Sequence, residues 1–126
     1  MSEPLRGVVV SHAGLARALV EAVERISGRT DGLVAVSNEG CGRDLLETRV
    51  AEAVGDSPAV VFVDLPSGSC LQASAHYFRS HENVAVVAGV SLAMLVDFLY
   101  HRDLSPEAAA ERAVQTGTRA LRVLTR

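Results

Sequence analysis

The chain has 126 residues, 48% of them hydrophobic and 21% charged, with a formal net charge of −3; these are the values of an ordinary globular protein and offer no basic face to nucleic acid. All 12 basic side chains are arginine, which excludes a phosphate-loop lysine, a kinase strand lysine and a Schiff-base lysine. Tryptophan is absent and aromatic residues make up 4%, against a stacking platform for single-stranded nucleic acid, and no apolar run reaches the roughly 18 residues of a membrane span.

The length predicts one domain over residues 1–126. Residues 1–6 lack the form of a signal peptide, so a cytoplasmic chain is expected. Residues 6–11 hold a β-branched run and read as a buried first strand. Leu15, Leu19, Val23 and Ile26 recur at helical spacing, and Ser27-Gly28 ends that helix. A second strand follows at 32–37, then a loop with two glycines at 38–42. Leu45, Leu46, Val50, Ala53 and Val54 mark a second helix, broken at 55–58. Residues 59–63 are continuously apolar and read as a central strand buried on both faces. Asp64 follows at once, then the turn-forming Pro66-Ser67-Gly68-Ser69. A third helix is predicted over 70–80 and a fourth strand over 84–88. Ser91 caps a fourth helix over 92–100. Ser105-Pro106 opens a fifth helix that fades near Thr116-Gly117. The tail, 118–125, fits a short last strand.

Strand and helix alternate four times, with short links, before the final helix and tail. That pattern demands a parallel sheet with right-handed crossovers. In the flavodoxin-like strand order 2-1-3-4, the ligand crevice opens between the ends of strands 1 and 3. Strand 1 ends in Ser11-His12 and strand 3 in Asp64, so an imidazole and a carboxylate are expected in one crevice. A carboxylate bonded to Nδ1–H fixes the tautomer and leaves Nε2 as the free nitrogen. Histidine is an established covalent nucleophile. Ser67, Gly68 and Ser69 precede a helix whose first backbone N–H groups suit an anion such as phosphate. Together these point to phosphoryl transfer through a phosphohistidine, with no metal or cofactor required.

The other polar side chains have plainer readings. Ser11 reads as a turn former, and Ser67 and Ser69 serve equally well as helix caps. His76 and His81 are five apart and do not share a helix face as ligands; with His101 they read as helix-end residues rather than a metal set. Cys41 and Cys70 have no paired spacing and read as small, partly buried side chains, a redox pair only if their two loops meet at the crevice. Arg43 and Arg49 read as solvated, with Arg43 able to steer phosphate. The stripe Leu92-Leu95-Val96-Leu99 reads as core or dimer interface.

Three blocks carry a resemblance. They are 8–16 (Val-Val-Val-Ser-His-Ala-Gly-Leu-Ala), 63–70 (Val-Asp-Leu-Pro-Ser-Gly-Ser-Cys) and 89–95 (Gly-Val-Ser-Leu-Ala-Met-Leu). In order and spacing the chain resembles the mannose-type enzyme IIA domain of the bacterial phosphotransferase system. The resemblance implies that His12 is the phosphorylated histidine and Asp64 the residue that orients it. It implies four parallel strands plus an antiparallel edge strand, here 118–125, exchanged between the subunits of a homodimer. It also implies phosphate taken from HPr and passed to a IIB component in sugar uptake, so that membrane contact is only indirect. The family's usual Asp-Leu-Phe-Gly-Gly-Ser-Pro reads here Asp64-Leu65-Pro66-Ser67-Gly68-Ser69-Cys70. The glycine common after the histidine is Ala13, and Ser91 and Ala93 replace an asparagine and a proline.

Two other readings stand beside this one. The phosphotransfer subunit of phosphoenolpyruvate-dependent dihydroxyacetone kinase also has a Ser-His strand end, but its glycine-rich segment is only faintly echoed by Glu39-Gly40-Cys41-Gly42. A regulatory interaction module with the same fold is the second, motivated by the altered loop after Asp64. A small-molecule-binding flavodoxin-like domain ranks last, since no glycine fingerprint supports a dinucleotide.

Overall fold

The computed structural model describes residues 3–126; Met1 and Ser2, part of the N-terminal stretch considered above, lie outside the described residues. The four β-branched runs become strands β1 (Arg6–Ser11), β2 (Leu33–Ser37), β3 (Ala59–Val63) and β4 (Val84–Ala88). Between and after them run helices α1 (Leu15–Ser27), α2 (Arg43–Val54), α3 (Ser69–Arg79), α4 (Leu92–Leu99) and α5 (Pro106–Ala120). All the strand pairs are parallel and the order is β2-β1-β3-β4, as the alternation of elements predicts.

β3 is the centre of the packing, and all five of its residues are fully buried. Side chains alternate across a strand, so it feeds two cores. Val60 and Phe62 join Val9 beneath α1, α4 and α5, where Phe62 meets Phe98 edge-on at a centroid distance of 5.2 Å. Val61 and Val63 join Val8 and Val10 beneath α2 and α3. A strand apolar on both faces is stable only when helices cover both, which the crossovers ensure. The expected helix signals operate. Gly28 closes α1 in the left-handed conformation at φ 73°. The Ser91 and Ser105 hydroxyls accept from the N–H groups of Met94 and Ala108 at 3.3 and 3.2 Å.

Three expectations are corrected. The inward face of α1 is Ala16, Leu19, Val20 and Val23, whereas Leu15 and Ile26 are exposed. At about 100° per residue, Leu15 and Ile26 fall on one edge of the helix, roughly 70–90° from the centre of the arc formed by Ala16, Leu19, Val20 and Val23, and so face solvent. Second, α5 does not fade near Gly117 but continues to Ala120. Gly117 lets α5 approach α4: a Cβ there would collide with Met94 Cε and come within 3.0 Å of its Cγ. Third, the tail is not a strand in this chain. Residues 118–120 form the last turn of α5, and 121–126 pair with no strand among the described residues, leaving Leu121, Val123 and Leu124 from 80% to 91% exposed. A strand has no hydrogen bonds of its own and forms only where a partner edge receives it.

Candidate functional site: a histidine–aspartate crevice

Val10 pairs with Val63 across β1 and β3, so the residues just beyond emerge side by side at the carboxyl end of the sheet. There the Asp64 Oδ2 accepts from the His12 backbone N–H at 2.9 Å and lies 2.7 Å from the His12 Nδ1. Asp64 Oδ1 accepts from the Leu65 N–H at 3.0 Å. The carboxylate is largely covered, at 10% exposed, while the His12 side chain is 44% exposed. Burial raises the Asp64 pKa, but the His12 N–H and imidazole, together with the local N–H, outweigh it, and the net shift is downward from 3.8. An ionised Asp64 holds the proton on Nδ1 and leaves Nε2 as the nitrogen without a bond among the described residues. This tautomer follows from the hydrogen-bond network.

The end of β2 holds the same turn from the other side, which sequence reading missed. Ala13 sits at φ 52°, the only left-handed non-glycine among the described residues. Its N–H donates to Asn38 Oδ1 at 3.1 Å, and its carbonyl accepts from Ser37 Oγ at 2.7 Å. The Asn38 N–H in turn donates to the Ser11 carbonyl at 3.1 Å. Arg49, read as solvated, reaches from α2 to donate to the Ser37 and Glu39 carbonyls at 2.9 and 3.0 Å. Arg43 stays on the helix surface with Glu47. Ser11 is no turn former: it ends β1, is fully buried, and its Oγ has no partner among the described residues.

Residues 65–68 form an exposed loop, and α3 starts at Ser69 behind Gly68, which stands at φ 95° with no side-chain cap. Ser67 and Ser69 are therefore not its caps. Cys70, read as a bland small residue, is fully buried with its Sγ 3.9 Å from His12 Nδ1. Burial first, then the Asp64 charge, pushes its thiol up to about 11. Cys41 stays on the neighbouring loop with its Sγ against the Asn38 carbonyl at 3.1 Å, and both cysteines are free thiols.

The remaining histidines are engaged separately. His81 Nδ1 lies 2.9 Å from the Tyr77 carbonyl and His101 Nδ1 2.8 Å from that of Asp97. His76 Nε2 is 3.8 Å from a Glu47 oxygen. Two concavities of about 830 and 990 Å³ lie along residues 76–84, and neither His12 nor Asp64 lines them.

Two outcomes follow from this geometry. Asn38→Ala, removing one exposed bond to a strained residue, costs about 1 kcal/mol in urea unfolding. Ala13→Gly recovers roughly that amount by relieving the left-handed strain; an unchanged or worse double variant contradicts the clamp. Asp64→Ala costs about 2 kcal/mol at neutral pH, since the lost acceptor is charged. Because the folded pKa is lowered, that contribution is complete above 3.8 and is lost as the pH falls through the folded value. Urea midpoints of the two chains therefore converge in acid; a pH-independent gap contradicts the assignment.

Among the described residues no helix is long and apolar enough to cross a membrane. A search of curated proteins returned no significant match. Solved structures share the fold at low identity. A phosphotransferase system component EIIA from Streptococcus agalactiae superposes with a TM-score of 0.87 at 16% identity, covering 94% of this chain and 96% of that one. A mannose/sorbose-specific IIA subunit from Enterococcus faecalis gives 0.85 at 21%, covering 98% and 97%. A IIA protein associated with the fucose utilization operon of Streptococcus pneumoniae gives 0.78 at 21%, covering 98% and 96%. The family model described as the phosphotransferase system fructose IIA component, EIIA-man, matches residues 7–115, and the chain belongs to this mannose-type IIA family of the bacterial phosphotransferase system.

Proposed function

We propose that residues 1–126 act as one phosphohistidine carrier domain that accepts a phosphoryl group from HPr on His12 and passes it to a IIB component. The observation that carries this reading is the 2.7 Å contact between His12 Nδ1 and Asp64 Oδ2 at the sheet's carboxyl edge. The lone pair on Nε2 attacks phosphorus, and the bond to the donor breaks with its electron pair leaving on the donor. The proton stays on Nδ1, and the Asp64 carboxylate balances the positive charge that develops on the ring. The N–H groups at the start of α3, uncapped by any side chain, are suited to the phosphoryl oxygens, with Ser67 and Gly68 in the loop before them and Ser69 at the first helical position. A half-exposed histidine, 44% open, suits hand-over between two proteins, because each must bring its own phosphorus-bearing group within bonding distance.

Membership of a family of phosphotransfer proteins supports this reading, as does the absence of lysine, which leaves histidine the plainer nucleophile. The protein then works in the cytoplasm and meets a membrane only through its transporter partners. Dimerisation is part of the proposal. The exposed apolar tail of one chain adds an antiparallel strand to the open edge of β4 in another, covering both.

Intact mass after incubation with phosphoenolpyruvate, enzyme I and HPr tests the carrier. Wild type gains one phosphoryl group, His12→Ala gains none, and Asp64→Asn labels roughly 100-fold more slowly. An unlabelled wild type beside a labelled control IIA overturns the carrier reading in favour of a regulatory module. For the dimer, deletion of 121–126 spares α5 and yields monomers by light scattering where the full chain is dimeric. A truncated chain that stays dimeric at micromolar concentration removes the tail from the interface.

A further inference from the structure

We propose that His12, Asp64 and Cys70 form a site for a thiophilic divalent cation of the zinc type, and that its occupancy closes the phosphoryl site. The three side chains offer one imidazole, one carboxylate and one sulfur atom, all within 4.8 Å of one another. His12 Nδ1 stands between the other two donors, 2.7 Å from Asp64 Oδ2 and 3.9 Å from Cys70 Sγ. Around tetrahedral zinc, with bonds of about 2.0 Å to nitrogen or oxygen and 2.3 Å to sulfur, neighbouring donors stand roughly 3.3–3.6 Å apart. The carboxylate has to withdraw from the imidazole by about 0.6 Å and the thiol to approach it by about 0.4 Å, while the carboxylate oxygen and the sulfur, within 4.8 Å of one another, close by up to about 1.3 Å, shifts that side-chain rotation supplies. Three protein donors leave a fourth position for water, the arrangement of open zinc sites. Nitrogen and sulfur donors with a single carboxylate favour zinc and cadmium over magnesium and calcium, which require several oxygens.

Charge and protons balance. The S–H bond of Cys70 breaks, its proton leaves to solvent, and the sulfur–metal bond forms. The imidazole proton passes through solvent from Nδ1 to Nε2, freeing the Nδ1 lone pair for the cation. A thiolate, a carboxylate and a neutral imidazole then neutralise two positive charges. The bound cation supplies the positive charge that holds the sulfur as thiolate. The consequence lies at Nε2: carrying the proton, it has no lone pair to attack phosphorus. Cation and phosphoryl group therefore compete through the tautomer of one ring, although they use opposite nitrogens. This competition rests on the carrier reading, whereas cation binding does not.

Cadmium titration of the reduced full-length protein tests the binding through the sulfur-to-cadmium charge-transfer band in the ultraviolet. Competition with a chromophoric chelator then gives the zinc affinity. One equivalent is expected to bind with the band present in wild type and in Cys41→Ala, and absent in Cys70→Ala and Cys70→Ser. His12→Ala and Asp64→Asn should each weaken zinc binding by at least about tenfold. Thermal melting by circular dichroism identifies folded variants; having two replacements at Cys70 keeps the comparison open if one does not fold. No band in wild type overturns the proposal, as does a band and affinity unchanged in His12→Ala and Asp64→Asn, which marks a thiol acting alone. In the labelling assay, equimolar zinc should slow wild type by about tenfold or more, and the ratio of rates with and without zinc should stay near one in a folded Cys70 variant. Labelling that zinc leaves untouched overturns the competition. Cation binding with no labelling at all sinks the carrier reading and leaves the site standing.

Discussion

One oxygen of Asp64 serves two donors of a single residue, the His12 backbone N–H and its imidazole. The first contact fixes where the chain turns out of β1, and the second fixes how the ring lies. Neither exists unless β1 and β3 are neighbours, because strands stand about 4.8 Å apart and a second strand between them doubles the gap. The order β2-β1-β3-β4 is thus the constraint on which the site depends. It is also why β3 must be apolar on both faces: the strand that carries the carboxylate is the one with helices on either side.

How much of this is legible in the sequence depends on how far apart the interacting residues lie. β3 declares itself through five consecutive apolar residues, and Asp64 stands where that run stops. His12 stands where the first run stops, and the alternation of elements supplies the adjacency. Contacts that need side-chain register across distant segments are not legible. Asn38 and Ala13 meet only because Ser11 pairs with Ser37, and a slip of one residue would turn the whole strand over. Cys70 follows the same rule: nothing in its spacing from Asp64 says that its sulfur points back at His12. Glycines divide in the same way. Gly28 ends a helix by its left-handed backbone, whereas Gly117 sits inside one so that Met94 fits, and the letter is identical in both. The tail alternates as a strand does, yet its pattern states only what it could pair with.

The turn after β1 is held at some cost. Ala13 occupies a conformation that glycine adopts freely and alanine resists by about 1–2 kcal/mol. Two bonds, one donated by Ser37 and one accepted by Asn38, offset that strain, and Arg49 ties the end of β2 to α2. The imidazole therefore stands on backbone fixed by β1, β2 and β3 together. Such a mounting limits the ring's rotation, which matters more at a half-open site than in a closed pocket, where packing would do the same.

On the carrier reading the phosphoryl group has to be reached from outside, and neither His12 nor Asp64 lines the two concavities along residues 76–84. Openness to a partner is also openness to cations. Hard cations gain little at the crevice, since one carboxylate among softer donors is a poor substitute for their water. A thiophilic cation is different, because Cys70 adds a sulfur where the family's usual loop carries proline, a residue with no donor. The sulfur is buried 3.9 Å from the Nδ1 of the half-exposed imidazole, so in the proposed site a cation held by the sulfur also engages His12. On the carrier reading proposed above, replacing one ring residue by a thiol is then enough to give the histidine nucleophile a competitor, without altering either that histidine or the aspartate beside it.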